Sequence, residues 1–172
     1  MSGFERVFAT MESPVGTLTL TAAETALVGL SFETSRRPKR DNSAREEIAH
    51  PVLTAAINQL REYFAGERNV FELPLQLEGT DFQKRVWAQL LLIPFGETCS
   101  YGDIAHRLGD PKLTRAVGLA NGSNPIAIVV PCHRVIGASG ALTGFGGGLR
   151  NKAILLDLER QEPAFDFLHN AL

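Results

Sequence analysis

The chain has 172 residues, of which 44% are hydrophobic and 21% charged, and its formal net charge is −2. This length and hydrophobic content allow a buried core in one domain or in two small ones, and the near balance of charge argues against a uniformly basic nucleic-acid-binding protein. The sequence opens with no signal peptide and contains no apolar run long enough to cross a membrane, so we expect a cytoplasmic protein.

Residues 6 to 32 predict a small antiparallel sheet. Short segments rich in β-branched residues are separated there by turn residues such as Ser13-Pro14-Val15-Gly16. The charged stretch from Glu33 to Glu47 is interpreted as an exposed loop, with a nucleic-acid contact as the alternative. Apolar residues at helical spacing predict a helix from His50 to Gly66, and residues 67 to 79 are interpreted as a last strand and linker. A helix packed on this sheet would form a small N-terminal α/β domain.

Three helices are predicted in the next segment. The first runs from Thr80 to Leu92, begins with a capping box of Thr80 and Gln83, and is stopped by Pro94. Two short helices follow, Tyr101 to Leu108 and about Leu113 to Asn121. Two helices about a short turn are typical of a DNA-binding helix-turn-helix, although such pairs also occur as plain packing motifs.

A cysteine with basic neighbours follows the apolar run Ile126 to Val130. That run predicts a buried strand, which should end at Pro131 because proline cannot donate to a sheet. Free cysteines are usually buried as small hydrophobic residues, but the sequence Pro131-Cys132-His133-Arg134 supplies the electropositive setting of a reactive thiol. Six glycines between residues 137 and 148 predict a loop whose backbone approaches a ligand closely.

The charge distribution is uneven in this half of the chain. Between Pro111 and Lys152 there are five basic residues and no acidic ones: Lys112, Arg115, Arg134, Arg150 and Lys152. Such a stretch predicts a positive face for a phosphate backbone, with a solvated surface as the alternative. The only cysteines, Cys99 and Cys132, form no CxxC pair, so neither a disulfide framework nor a zinc site is expected.

Five motifs occur in a fixed order between residues 80 and 159. They are Thr80-Asp81-Phe82-Gln83, Ser100-Tyr101-Gly102, Arg115-Ala116-Val117-Gly118, Asn124-Pro125 and Pro131-Cys132-His133-Arg134-Val135-Ile136-Gly137. Together they resemble the O6-alkylguanine-DNA alkyltransferase family, in its bacterial constitutive form. The resemblance implies DNA repair by direct damage reversal, in which one alkyl group passes irreversibly from O6-alkylguanine, and also from O4-alkylthymine, to Cys132.

The resemblance also implies an α+β fold without a cofactor. A structural N-terminal domain with an antiparallel sheet would span residues 1–79. A mainly helical C-terminal domain with the helix-turn-helix and the Pro-Cys-His-Arg loop would span residues 80–172. The implied partner is double-stranded DNA carrying O6-alkylguanine, bound through its minor groove, and cooperative self-association on the DNA is a further hypothesis.

Catalytic roles are carried over from the matching positions of the family. Glu159 would orient His133, which would polarise a water that takes the proton of Cys132, as a carboxylate orients histidine in a catalytic triad. Adjacent residues point their side chains in different directions, so a direct Cys–His hydrogen bond is not expected. Tyr101 would donate a hydrogen bond to a ring nitrogen of the leaving base, and Lys152 would support the site electrostatically.

Contacts with DNA are assigned to the second short helix. Arg115 would take the place of the extruded base in the stack, and base extrusion suits a reaction whose target atom is hidden in a duplex. Ala116 and Gly118 give the helix a low surface that can approach the groove floor. Leu113 and Thr114 are bulkier than the residues that the family often has there.

Recognition of the base would fall mainly to backbone groups. The carbonyls of Cys132 and Val135 would accept from the exocyclic amine, and the N–H of Gly146 would face O6. Phe145 stands where the family commonly has tyrosine, so ring packing is kept without the hydroxyl. Asn124 is expected to hydrogen-bond buried backbone next to the site.

Three other functions fit parts of the pattern. A protein of the same architecture could flip an alkylated base without removing the alkyl group, but such a protein has no need of the thiol. A cysteine hydrolase could use Cys132, His133 and Glu159, although adjacent Cys and His disfavour the direct pair of acyl transfer. A DNA-binding regulator would be expected to carry a further metal-binding or activation domain.

Overall fold

The computed structural model describes residues 5–34 and 44–160. Its N-terminal part is a sheet of four strands: β1 (Val7–Met11), β2 (Leu18–Ala22), β3 (Leu27–Phe32) and β4 (Arg45–Glu46). Their order is β3-β2-β1-β4, in which β2 pairs antiparallel with both β1 and β3, and β4 runs parallel to β1. The predicted antiparallel sheet is confirmed. In the predicted charged loop, β4 is a short strand, and residues 35–43 lie outside the described residues.

Helix α1 (Pro51–Phe64) covers one face of the sheet and confirms the predicted helix. It begins where the side chain of His50 accepts the backbone N–H of Val52, and proline occupies the first helical position, where no N–H is needed. It ends at Ala65, followed by Gly66 in the left-handed conformation at φ 76°.

The prediction of a strand within residues 67–79 is wrong. This segment makes one parallel bridge, between Leu27 and Leu75, with hydrogen bonds from Leu27 N to Pro74 O at 2.8 Å and from Gln76 N to Leu27 O at 2.9 Å. Pro74 has no N–H to extend the ladder, so the pairing stops at a single bridge.

The helices after residue 80 follow the prediction closely. They are α2 (Asp81–Leu90), α3 (Tyr101–Arg107), α4 (Thr114–Gly122) and α5 (Leu149–Glu159), with the parallel strand pair β5 (Cys99–Ser100) and β6 (Val135–Ile136). Helix α2 has the complete capping box of Thr80 and Gln83. A 3-10 turn at Pro111–Leu113 joins α3 and α4, the two short helices of the predicted helix pair.

The apolar run Ile126–Val130 is buried but is not a strand, contrary to the prediction. Only Ile126 bridges to the sheet, at Leu30, and the run then folds into tight turns with hydrogen bonds from Val129 N to Ala127 O and from Val130 N to Ile126 O. Ile128 adopts φ 70°, a left-handed conformation that is found in turns and not in strands. An apolar run buried on all sides carries no alternation that distinguishes a strand from a turn, so burial alone explains this sequence.

The sheet and the helices after residue 80 share one continuous hydrophobic core. Trp87 of α2 lies within it, and its indole N–H donates to the Ala120 carbonyl of α4 at 2.9 Å. Among residues 5–34 and 44–160, every helix falls short of the length and hydrophobicity that a membrane span requires.

Candidate active site

Cys132 is the first residue of a 3-10 turn that also contains His133 and Arg134. The residue is only 5% exposed, and it lines an open cavity of about 850 Å³. Burial raises the pKa of the Cys132 thiol. A hydrogen bond from Asn124 and the positive charge of Lys152 lower this pKa, but burial has the larger effect. The resting group is therefore a protonated thiol that needs a base before it can act as a nucleophile.

A buried histidine–carboxylate pair starts at the residue after the cysteine. Nε2 of His133 is 2.6 Å from Oε2 of Glu159, and both side chains are buried. Burial lowers the pKa of His133 although the carboxylate opposes this, so the imidazole is neutral at pH 7. Because an ionised carboxylate can only accept, Nε2 carries the proton and Nδ1 is left as the acceptor. Nδ1 is buried and has no hydrogen-bond partner within the described residues.

Arg134 completes the environment of the carboxylate. Its Nε and Nη2 donate to the two oxygens of Glu159 at 2.6 and 3.1 Å, and its Nη1 donates to the Ile93 carbonyl at 2.7 Å. Burial would raise the pKa of Glu159, but the hydrogen bonds and charges of His133 and Arg134 outweigh it and hold the pKa at about 2. Glu159 is therefore a permanent anion above acid pH.

Lys152 is buried inside the protein and not on its surface. Its Nζ donates to the carbonyls of Val135 and Thr143 at 2.6 and 2.9 Å, which ties β6 to the middle of the glycine-rich loop, residues 137–148. Burial lowers the pKa of Lys152, and the charge interaction with Cys132 raises it by a smaller amount. The ammonium group thus fixes the loop and places positive charge near the thiol.

The predicted positive face between Pro111 and Lys152 is only partly correct. Arg134 and Lys152 are buried and satisfied by Glu159 and by backbone carbonyls, so they do not face solvent. The exposed members of the stretch are Lys112, Arg115 and Arg150. Charge along a sequence could not reveal which basic side chains turn inward.

Tyr101, the first residue of α3, contacts the glycine-rich loop. Its hydroxyl donates to the Thr143 carbonyl at 3.1 Å, and its side chain is half-buried. Lys152 donates to the same carbonyl. The Thr143 carbonyl thus ties both Tyr101 and Lys152 to the glycine-rich loop.

The glycine-rich loop is held by strand β3, which sequence reasoning treated as purely structural. The ring of Phe145 packs edge-on against Phe32, with centroids 5.3 Å apart. A Cβ on Gly147 would lie 2.4 Å from the Phe32 ring, so only glycine fits there without a shift. The Gly147 carbonyl accepts from the Thr34 hydroxyl at 2.8 Å. Gly146, beside it, is exposed to the cavity.

Two asparagines brace the backbone around Cys132. Asn124 donates to the Val130 carbonyl at 2.7 Å and accepts from the Ile126 N–H at 3.0 Å, which spans the tight turns of the apolar run. Asn121, at the end of α4, is buried and donates to the Cys132 carbonyl at 3.4 Å. Sequence reasoning predicted the first of these contacts and missed the second.

Helix α4 presents a low, partly polar surface next to the same cavity. Thr114 and Arg115 are exposed, Ala116 and Gly118 are half-buried, and Gly118 lines the cavity with Cys132. Three buried residues anchor the helix, and the last of them also lines the cavity: Val117, Ala120 and Asn121. Leu119 is 71% exposed and also lines the cavity. The helix thus contributes Gly118 to the wall of the cavity that Cys132 lines, and it carries the exposed Arg115 three residues earlier.

Tyr63 of α1 is the site residue that sequence reasoning missed most completely. Its hydroxyl donates to Oε2 of Glu159 at 2.5 Å. The helical spacing placed Tyr63 on the buried face, but nothing in the sequence identified a partner for its hydroxyl. A buried tyrosine hydroxyl usually has one, and that was the only available signal.

Two family models match the chain in succession. Residues 7–77 match the ribonuclease-like domain of 6-O-methylguanine DNA methyltransferase, and residues 81–161 match the DNA-binding domain of the same family. The methylated-DNA–protein-cysteine methyltransferase of Mycobacterium bovis is 51% identical over 160 residues, covering 92% of this chain and 95% of the relative. That of Methanosarcina acetivorans is 48% identical over 152 residues, covering 88% and 97%.

A solved structure has the same fold. The crystal structure of the Mycobacterium tuberculosis OGT protein in complex with DNA superposes with a TM-score of 0.82 at 50% identity, covering 89% of this chain and 92% of that one. The agreement extends over both halves of the chain. The predicted α+β architecture, with an antiparallel sheet before a mainly helical part, is confirmed.

Proposed function

The chain belongs to the 6-O-methylguanine DNA methyltransferase family, and we propose that it repairs double-stranded DNA by moving the alkyl group of O6-alkylguanine onto Cys132. The observation that carries this proposal is the buried Cys132 thiol at the wall of an open cavity, next in the chain to the hydrogen-bonded pair of His133 and Glu159. The names of the relatives favour transfer over binding of the lesion without reaction.

Proton removal from the thiol comes first. Nδ1 of neutral His133 accepts the proton of Cys132 through a water molecule, and the ionised Glu159 stabilises the imidazolium that forms. The resulting thiolate attacks the alkyl carbon. A C–S bond forms as the C–O bond breaks, and the bonding electrons leave with the guanine oxygen.

The departing guanine needs a proton to avoid carrying full negative charge. We assign the hydrogen bond to the base ring nitrogen to Tyr101, whose hydroxyl would exchange the Thr143 carbonyl for the base. Cys132 loses one proton to His133 and the guanine anion gains one from the Tyr101 hydroxyl, so no net proton is consumed once the imidazolium has released its proton and the tyrosinate has taken one up. The thioether formed on Cys132 has no chemical route back to a thiol under cellular conditions, so each chain acts once.

Recognition of guanine is assigned to the backbone around the cavity. Carbonyls of Cys132 and Val135 would accept from the exocyclic amine, and the N–H of Gly146 would face O6. Support comes from the way these groups are fixed, since Lys152 holds the Val135 carbonyl and Asn121 the Cys132 carbonyl. Phe145, braced by Phe32, offers a ring face without a hydroxyl.

Binding to DNA is assigned to α4 in the minor groove. Thr114, Ala116 and Gly118 would approach the groove, while Arg115 fills the stack after the damaged base has turned into the cavity. The exposure of Arg115 and the presence of Gly118 in the cavity wall support this arrangement. Base extrusion is required because the alkylated oxygen is inaccessible inside a duplex.

Replacing Arg115 with alanine is expected to slow transfer from duplex DNA by roughly 10- to 100-fold, because the gap left by the extruded base is no longer filled. Reaction with the free modified base, which needs no extrusion, should stay near the wild-type rate. Single-turnover rates on both substrates measure this. Arg61→Ala, which removes an equal charge from α1, is the control, and equal losses on both substrates would contradict the role of Arg115.

The boundary between the two family models supports a structural unit over residues 1–79 and a DNA-binding, catalytic unit over residues 80–172.

We further propose a cytoplasmic location, where a reducing environment keeps the Cys132 thiol free. The second cysteine, Cys99, is also free and buried.

The proposed function is tested by incubating the protein with duplex DNA that carries one O6-methylguanine. Intact mass spectrometry should show the gain of one methyl group per chain, and peptide mapping should place it on Cys132 and not on Cys99. DNA binding without any change of mass would overturn transfer in favour of lesion binding. Repeated turnover on an ester would instead support a cysteine hydrolase.

A further inference from the structure

We propose that Tyr63 is a positioning residue for alkyl transfer, and that its hydroxyl holds the Glu159 carboxylate in the orientation that His133 requires. This inference rests on the proposed function of Cys132 and adds a residue from α1, in the N-terminal part of the chain. The Tyr63 hydroxyl donates to Oε2 of Glu159 at 2.5 Å, and Tyr63 is 1% exposed.

The position of the hydroxyl is fixed by aromatic packing. The Tyr63 ring has neighbours with centroids 5.2 to 6.2 Å away: Phe64, Phe71 and Phe95. Burial and the charge of Glu159 raise the pKa of Tyr63, so its hydroxyl stays protonated and always donates. A rigid ring with a permanent donor is suited to orienting a carboxylate.

Oε2 of Glu159 is shared among three donors. His133 Nε2 lies 2.6 Å away, Arg134 Nη2 lies 3.1 Å away, and Tyr63 provides the third contact. Without the Tyr63 hydroxyl, a larger share of the charge on Oε2 falls on His133, which stabilises its protonated form. The carboxylate also loses a restraint, so the His133 ring is aimed less accurately at the thiol.

The groups that face His133 set the direction of this effect. The titratable and charged ones are Cys132, Arg134, Lys152, Glu159 and Tyr63. Arg134 and Lys152 oppose protonation of the ring, and Glu159 favours it. Neutral Tyr63 acts on the ring only through Glu159. Loss of its hydroxyl therefore favours a protonated His133 and moves the acid limb of the rate–pH profile to higher pH, whereas the slower transfer comes from the less accurate aim of the ring.

The test compares Tyr63→Phe, which removes only the hydroxyl, with Leu53→Val, which removes buried apolar volume from the same helix and leaves Tyr63 and its aromatic neighbours in place. In Tyr63→Phe we expect transfer to slow roughly tenfold, as for other partners that orient a reactive group. The acid limb of the rate–pH profile should move to higher pH. The pKa of His133, measured by NMR titration of its ring nitrogens, should also rise. Leu53→Val should lower the melting temperature and leave the rate–pH profile unchanged.

Two outcomes would overturn the inference. One is a Tyr63→Phe protein that melts at a lower temperature but keeps the wild-type rate, profile and His133 titration, since the role would then be structural. The other is an equal change in both variants, since packing and not the hydroxyl would then be responsible. The wild-type mass gain separates the two proposals, because its absence counts against transfer itself while the His133 titration still tests Tyr63.

Discussion

Cys132→Ser is expected to take up no methyl group from O6-methylguanine in duplex DNA while still binding that DNA. The substitution exchanges a thiol for a hydroxyl at a site that is 5% exposed, so the shape of the cavity changes little. A serine hydroxyl has a far higher pKa than a thiol, and the neutral His133 behind it cannot supply an alkoxide for attack on an alkyl carbon. Mass spectrometry together with a binding assay measures both properties.

Cys99→Ser is the matched control for this experiment. Cys99 lies in β5, pairs with Val135 of β6, and does not line the cavity. Burial raises its pKa, and no histidine–carboxylate pair contacts it among the described residues. We expect wild-type transfer with a somewhat lower melting temperature. A methyl group on Cys132→Ser, or its absence from Cys99→Ser, would identify Cys99 as the acceptor.

Local sequence signals predicted much of this fold. The capping box at Thr80 and Gln83 located the start of α2, because the hydrogen bonds involved join residues three apart. Alternating β-branched segments located β1 to β3 for a similar reason. The turns at Ile126–Val130 were mistaken for a strand, since burial produces the same apolar run in either conformation.

Long-range contacts account for the parts of the site that the sequence did not reveal. Tyr63 meets Glu159 across 96 residues, and Thr34 meets Gly147 across 113. Arg134 was counted with the surface charge, although it is buried against Glu159. No periodicity or motif links such residues before the chain folds. A family resemblance assigns roles to the matching motifs but is silent on partners outside them.

Glu159→Gln is expected to damage stability and reaction together. The carboxylate is the only anion that contacts the buried Arg134 within the described residues, and removing one partner of a buried ion pair typically costs about 3–5 kcal/mol. Transfer should slow by roughly 10²- to 10⁴-fold, because His133 loses the charge that stabilises its protonated form. Chemical denaturation and single-turnover rates measure the two losses.

Glu62→Gln provides a control with the same chemical change in a surface ion pair. Glu62 contacts Arg68 at 2.9 Å, and 41% of its side chain is exposed, so the expected cost is below about 1 kcal/mol and transfer should be unaffected. Equal stability losses in the two variants would contradict a structural role for the buried pair. A normal rate in Glu159→Gln would contradict the relay through His133.

The pH dependence separates charge from packing. Folding lowers the pKa of Glu159 from 4.5 to about 2, so the folded state gains stability from the ionised carboxylate above pH 4.5 and loses it as the pH falls through about 2. The stability difference between wild type and Glu159→Gln should therefore be largest at neutral pH and shrink over this window. Glu62→Gln is again the control, because it removes a carboxylate from a surface ion pair and leaves the contacts of Glu159 intact. Its stability difference from wild type should not follow the same pH dependence. A difference that stays constant down to pH 2 would mean that Glu159 acts by its shape and not by its charge.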